Sequence, residues 1–143
     1  MSPARILVTD HFSLDEFSSH DGAIYPVEWI DDRLHPLCDV LEKLRATLGG
    51  HAITILSGYR SPAHNARVGG AKASQHMQGR AADIIVEGYA PSDVHASLLQ
   101  LFAAGDIKIG GLGKYNGWVH VDIRPWQGHL CQWTGEKVGD EVA

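Results

Sequence analysis

The stretch Ser74–Ile84 reads SQHMQGRAADI. One imidazole, His76, and one carboxylate, Asp83, stand seven positions apart, with the small residues Gly79, Ala81 and Ala82 between them. A strand over 79–86 puts Ala81, Asp83 and Ile85 on one face, because successive side chains point to opposite sides. Ala81 then leaves room beside Asp83. Gly79 lets the preceding loop turn back tightly, which brings His76 toward the same point.

A second stretch, GWVHVDI over 117–123, supplies the third group. On a strand, Trp118, His120 and Asp122 point one way and Val119 and Val121 the other. If the two strands lie close in one sheet, His76, Asp83 and His120 form a cluster of two nitrogens and one oxygen. Catalytic zinc takes such a site, with three protein ligands and an open position for water. Zinc lowers the pKa of that water and polarises a carbonyl.

Outward from these stretches, FSLDEFSS (12–19) starts a short helix, with Ser13 and Glu16 in capping-box spacing and Phe12 and Phe17 turned inward. Leu34, Leu37, Val40, Leu41, Leu44 and Leu48 make one helical stripe, so a helix is expected over about 27–48. Pro36 kinks it or starts it, and Gly49-Gly50 ends it. Residues 51–56 read as a β-branched strand. Residues 57–62 read as a turn, with Pro62 opening a short helix, and 68–71 as a loop. Residues 91–103 read as a helix with Val94, Leu98, Leu99 and Phe102 inward. Strands are expected over 107–112 and 117–123, joined by a turn through 114–116. The tail after Arg124, with Gly128, Gly135 and Gly139, reads as irregular with a frayed end. Helices first and strands later predict an α+β fold with a small central, mostly antiparallel sheet.

The 143 residues fit a single domain, 1–143, large enough for a core of its own. The chain is 44% hydrophobic and 20% charged, with a net charge of −5. That balance argues against a nucleic-acid partner, which needs a basic face. No run approaches the ~18 apolar residues of a membrane span. The apolar run Ile6-Leu7-Val8 is too short for a signal-peptide core, so the sequence shows no export route of its own. Cys38 and Cys131 have no metal-type spacing and read as unpaired thiols, with Cys38 buried in its helical run.

The fuller pattern Ser74-x-His76-x-x-Gly79-x-Ala81-x-Asp83, followed by His120-x-Asp122, resembles the signature of the zinc D-Ala-D-Ala carboxypeptidase family. Murein endopeptidases, vancomycin-resistance dipeptidases and phage endolysin peptidases are among its relatives. SGYRSPAHN (57–65) resembles the family segment carrying a substrate-binding arginine. FSLDEFSSHDG (12–22) and GGLGKYNGWVHVDIR (110–124) resemble the N-terminal segment and final hairpin of one branch. The resemblance covers about 11–125 and leaves a tail over 126–143. It implies the α+β fold with a central antiparallel sheet that the family shares with the hedgehog signalling domain.

The resemblance implies that His76, Asp83 and His120 hold one zinc ion. It implies that Arg60 grips a substrate carboxylate or carbonyl, a task suited to a planar two-pronged donor. Ser74 matches a position that bonds to substrate or caps the ligand loop. Several relatives carry Glu three positions before the last ligand, where this chain has Gly117; others carry His two before it, where this chain has Trp118. Asp122 is the substitute base, or else orients His120 from behind. Trp118 forms a pocket wall or packs in the core. The implied function is a zinc peptidase, expected as a monomer, acting on peptidoglycan stem peptides or crosslinks that contain D-residues; a phage lysis or tail-associated enzyme, or a cytoplasmic peptide-recycling one, would fit the lack of a visible export route. The alternatives are a zinc-binding wall-binding or structural module with little hydrolysis, favoured by Gly117, and a metal-free interaction domain.

Overall fold

A computed structural model describes residues 6–135; the expectation for Gly139 and the end of the tail lies outside them. Strand β1 (Leu7–Thr9) pairs antiparallel with β2 (Phe12–Ser13). A 3-10 turn, Leu14–Phe17, follows. The Glu16 carboxylate closes the capping box, accepting from the Ser13 backbone N–H at 2.7 Å and its hydroxyl at 3.0 Å. Phe12 and Phe17 are buried edge to face.

The helix expected over 27–48 is three pieces: a 3-10 turn (Val27–Trp29), a π turn (Ile30–Leu34) and helix α1 (His35–Thr47). Pro36 explains the break. It has no N–H to give to the turn before it and suits the first turn of a new helix. The π turn closes with the His35 N–H donating to the Ile30 carbonyl. Helix α1 buries Leu37, Cys38, Val40, Leu41 and Leu44, each large apolar side chain contributing about 1.5–3 kcal/mol by leaving water. Gly49 and Gly50 end it at φ 78° and 81°, a backbone region other residues rarely adopt.

The main sheet uses β3 (Ile53–Ser57), β4 (Ala81–Val86), β5 (Gly111–Lys114), β6 (Val119–Asp122) and β7 (Cys131–Thr134). Their order is β3-β4-β6-β5-β7. The first three pairings are antiparallel, and β7 lies parallel to β5. The α+β class holds, and the sheet is mostly antiparallel as expected, with β7 its one parallel member. The tail expectation is thereby corrected: residues 131–134 are a strand. It fills the open edge of β5, with the Cys131 N–H donating to the Gly110 carbonyl at 3.0 Å and the Gly135 N–H to the Lys114 carbonyl at 2.9 Å. Strand β4 starts at Ala81 because Gly79, at φ 68°, still belongs to the turn. Ile107 and Ile109 are buried but precede the β5 ladder.

Helices α2 (Pro62–Arg67) and α3 (Pro91–Ala103) complete the set. Val94 and Leu98 of α3 are fully buried, while Leu99 and Phe102 are partly buried against the core. That core includes the α1 stripe and one sheet face: Ala82, Ile84, Val86, Leu112, Val119 and Val121. By strand alternation the opposite face presents Asp83, His120 and Asp122. No helix of the described residues is long and apolar enough to cross a membrane. Cys38 and Cys131 are both free thiols, Cys38 buried.

Candidate metal centre

Strand register sets two of the three groups side by side. Asp83 on β4 lies opposite His120 on β6, and Ala81 lies opposite Asp122. Ala81, with only a methyl group, leaves space on that face for the Asp122 side chain. His76 arrives from the loop before β4. The Ser74 hydroxyl accepts the His76 backbone N–H at 3.1 Å, and the His76 carbonyl accepts the N–H of Arg60 at 3.1 Å and of Gly79 at 3.2 Å. A side chain on Gly79 would meet the Tyr25 hydroxyl at 2.7 Å and Trp29 at 2.8 Å. The Tyr25 hydroxyl donates to the Gly79 carbonyl at 2.6 Å and pins the turn. The bareness between His76 and Asp83 is therefore a packing requirement as well as a conformational one.

The candidate ligand atoms of His76, Asp83 and His120 all lie within 4.8 Å of one another, and all three residues are buried. Each imidazole commits its outer nitrogen elsewhere. His76 Nδ1–H donates to the Gly58 carbonyl at 2.7 Å, and His120 Nε2–H to Asp122 Oδ2 at 2.7 Å. The inner nitrogens face one carboxylate oxygen: His76 Nε2 at 3.2 Å and His120 Nδ1 at 3.0 Å from Asp83 Oδ1. His76 Nε2 sits off the line of a hydrogen bond, and neither it nor Asp83 Oδ2 has a hydrogen-bond partner among the described residues. Three electron-pair donors converging in a dry site repel one another unless a proton or a cation lies between them. The donor set of two imidazoles and one carboxylate, each ring oriented from behind by an acceptor, fits zinc.

The electrostatics agree for His76 and Asp83. Burial drives the His76 ring below the ordinary imidazole value despite the facing Asp83, leaving it neutral with a lone pair to give. Burial pushes the Asp83 carboxyl up, but the two facing imidazoles, His76 first and then His120, outweigh it and hold the group well below the usual carboxylate range. Burial pulls His120 down, and its bonds to Asp122 and Asp83 outweigh that and raise it; without a cation the ring keeps a proton on Nδ1 and shares it with Asp83 Oδ1 at 3.0 Å.

Asp122 is wholly enclosed. Besides His120 it accepts from Arg124: the backbone N–H at 3.0 Å and Nε at 2.8 Å on Oδ1, and Nη2 at 2.6 Å on Oδ2. Burial alone would raise its carboxyl; the bonds from Arg124 and His120 outweigh burial and hold it well below its usual value. Gly117 is exposed, and a side chain added there would meet nothing within 4 Å.

Arg60 is fully buried beside the cluster. Its Nη1 donates to Asn65 Oδ1 at 2.9 Å and its Nε to Ser57 Oγ at 3.3 Å, and its Nη2 lies 3.6 Å from Asp83 Oδ2. Ser74 is buried with its hydroxyl turned to the ligand loop. Trp118 is buried and stacked on Tyr115, ring centroids 4.5 Å apart.

Two neighbours of the site went unassigned in the sequence. Arg124 follows Asp122 by two, and strand alternation alone offered it as a same-face partner. Trp133 comes from β7, and its indole lies 5.0 Å from the His120 ring. Nothing local signalled that contact.

Comparisons with known proteins identify the family. The family model described as Peptidase M15 matches residues 7–122. The peptidoglycan L,D-endopeptidase MepK of Escherichia coli K12 is 35% identical over 97 residues, covering 62% of this chain and 50% of MepK. The zinc D-Ala-D-Ala carboxypeptidase of Streptomyces albus G is 46% identical over 44 residues, covering 31% of this chain and 17% of that protein. The chain thus spans half the length of MepK and less of the carboxypeptidase. The match runs from β1 through the last residue of β6, taking in His76, Asp83 and His120: the chain belongs to the peptidase M15 family.

Proposed function

We propose that this chain is a zinc-dependent peptidase that hydrolyses peptide bonds in bacterial peptidoglycan stem peptides or crosslinks, with His76, Asp83 and His120 holding one zinc ion. The observation that carries this reading is the inward convergence of two imidazoles and one carboxylate, with the outer nitrogen of each ring already spoken for. A zinc ion bound there supplies Lewis acidity for a carbonyl and for water. The rest falls to the chain. The Gly58 carbonyl and Asp122 fix the tautomers of the two imidazoles. Arg60 Nη2 lies 3.6 Å from Asp83 Oδ2, and it reaches a substrate carboxylate only by turning out of its enclosed seat. Ser74 shapes the loop that carries His76. Asp122 acts as a positioning residue, since both its oxygens are taken by Arg124 and His120. Trp118 braces the β6 side of the site through Tyr115.

The substrate class rests on the relatives' names, an L,D-endopeptidase and a D-Ala-D-Ala carboxypeptidase. Digestion of purified peptidoglycan, with chelator and after zinc is returned, tests it. New amino termini released only with zinc are expected. A second reading, a zinc-binding wall-binding module with little hydrolysis, is favoured by the missing side chain at Gly117 and by the enclosure of all three ligands. Zinc uptake and wall binding without release of amino termini would establish that reading instead.

A further inference from the structure

The side-chain row that carries the cluster does not stop at His120. Opposite His120 on β5 is Gly113, and opposite Gly113 on β7 is Trp133. Residues opposite one another in adjacent strands share a face, so the row reads Asp83, His120, Gly113, Trp133. Gly113 has no side chain to fill its place. The Trp133 indole lies across it instead: a Cβ on Gly113 would collide with that ring. The indole then reaches the His120 imidazole, at 5.0 Å between centroids and 46° between planes.

Trp133 also touches the group behind His120. The Arg124 guanidinium, which bonds to Asp122, lies 5.2 Å from the centre of the Trp133 ring, within cation–π range. The indole N–H donates to the Tyr115 hydroxyl at 2.9 Å, and that fixes the ring's rotation. Gly111 repeats the device one step along β5, since a side chain there would collide with Asp122 and Arg124. Two bare positions in one strand thus admit the two groups that hold the His120–Asp122 pair from outside. Trp133 lies beyond the residues matched by the family model, 7–122.

We propose that β7 completes the metal centre, with Trp133 as a positioning residue that holds His120 and Arg124 so that His120 Nδ1 stays aimed at Asp83. The inference rests on the zinc-site reading above. Without the indole, the imidazole can swing into the space over Gly113, and the Arg124–Asp122 pair behind it loosens. Groups that orient a metal ligand from outside change affinity by about 10–100-fold when lost.

The test uses the parent chain and the Trp133→Ala, Trp133→Phe and Gly113→Ala variants, each stripped with chelator. Zinc affinity is read by competition with a chromophoric chelator, and ligand geometry by the visible spectrum of the Co2+-loaded protein. Melting of the stripped proteins checks the fold. Trp133→Ala should bind zinc about 10-fold more weakly and show an altered cobalt spectrum. Trp133→Phe should fall between it and the parent, and Gly113→Ala, which pushes the indole aside, should resemble Trp133→Ala. A merely structural tryptophan would lower melting and leave zinc affinity and the cobalt spectrum of the folded protein in place; that result overturns the proposal. Should Trp133→Ala not fold, parent-like affinity and spectrum in Gly113→Ala and Trp133→Phe overturn it equally. A parent chain that takes up no zinc removes the zinc-site reading and this inference with it, whereas a parent that binds zinc beside indifferent variants removes this inference alone.

Discussion

Replacing Asp122 with Asn separates two roles that predict different losses. The carboxylate accepts four hydrogen bonds, three from Arg124 and one from His120. Asn keeps the shape, loses the charge and turns an NH2 toward one of two donors. Removing one partner from a fully buried ion pair costs about 3–5 kcal/mol. The Arg124 side chain is 18% exposed, so solvent takes up part of the loss and roughly 2–4 kcal/mol is expected for the metal-free chain. In a domain of this size that lowers melting by roughly 5–15 °C. Zinc affinity should fall about 10–100-fold, because His120 loses the acceptor that sets its tautomer. At saturating zinc, hydrolysis of a peptidoglycan peptide should largely return. A general base behaves otherwise: its loss costs about 10²–10⁴-fold in rate whatever the metal loading. The assay is therefore zinc competition beside kcat at saturating zinc. Parent-like zinc affinity with a rate down 100-fold or more would refute the positioning role and make Asp122 the base.

The cluster itself gives a sharper loss. His76→Ala or Asp83→Ala should abolish tight zinc uptake and hydrolysis together, seen as metal content after desalting and as released amino termini; retained zinc in either variant would exclude that residue as a ligand. Zinc at 100 times its dissociation constant should stabilise the parent by about 2.7 kcal/mol, read as a rise in melting that chelator reverses. Gly79→Ala places a side chain at φ 68° against Tyr25 and Trp29; destabilisation of more than about 1 kcal/mol is expected in urea unfolding, with zinc affinity falling as the His76 loop shifts. Asp21 has its carboxyl held well below the usual range by the Ser61 hydroxyl and then by Ser19. A depressed folded-state pKa contributes stability that is complete above the unfolded value of about 3.9 and lost as pH falls below it. Unfolding free energies between about pH 5 and pH 2 should therefore fall less steeply for Asp21→Asn than for the parent.

Much of this protein was legible in its sequence because the deciding forces act over short distances. Alternation along β4 and β6 fixed which side chains share a face, and Ala81 and Gly79 announced by their size that something needed the space. Capping chemistry located the Ser13–Glu16 turn, and Pro36 marked where α1 starts. These depend on a residue's own backbone preferences and on neighbours a few positions away. Tertiary structure decided the rest. Which strand lies opposite which is settled by burial of the whole Ala82, Ile84, Val119 and Val121 face, and no single segment encodes it. Whether Asp122 meets substrate or Arg124, and whether Arg60 faces outward or sits under Asp83, turned on side chains converging from separate elements. The strand at Cys131–Thr134 had no local mark, because its parallel pairing with β5 joins segments separated along the chain by β6. Trp133 reaches His120 through that pairing, over a glycine whose purpose appears only when three strands stand side by side.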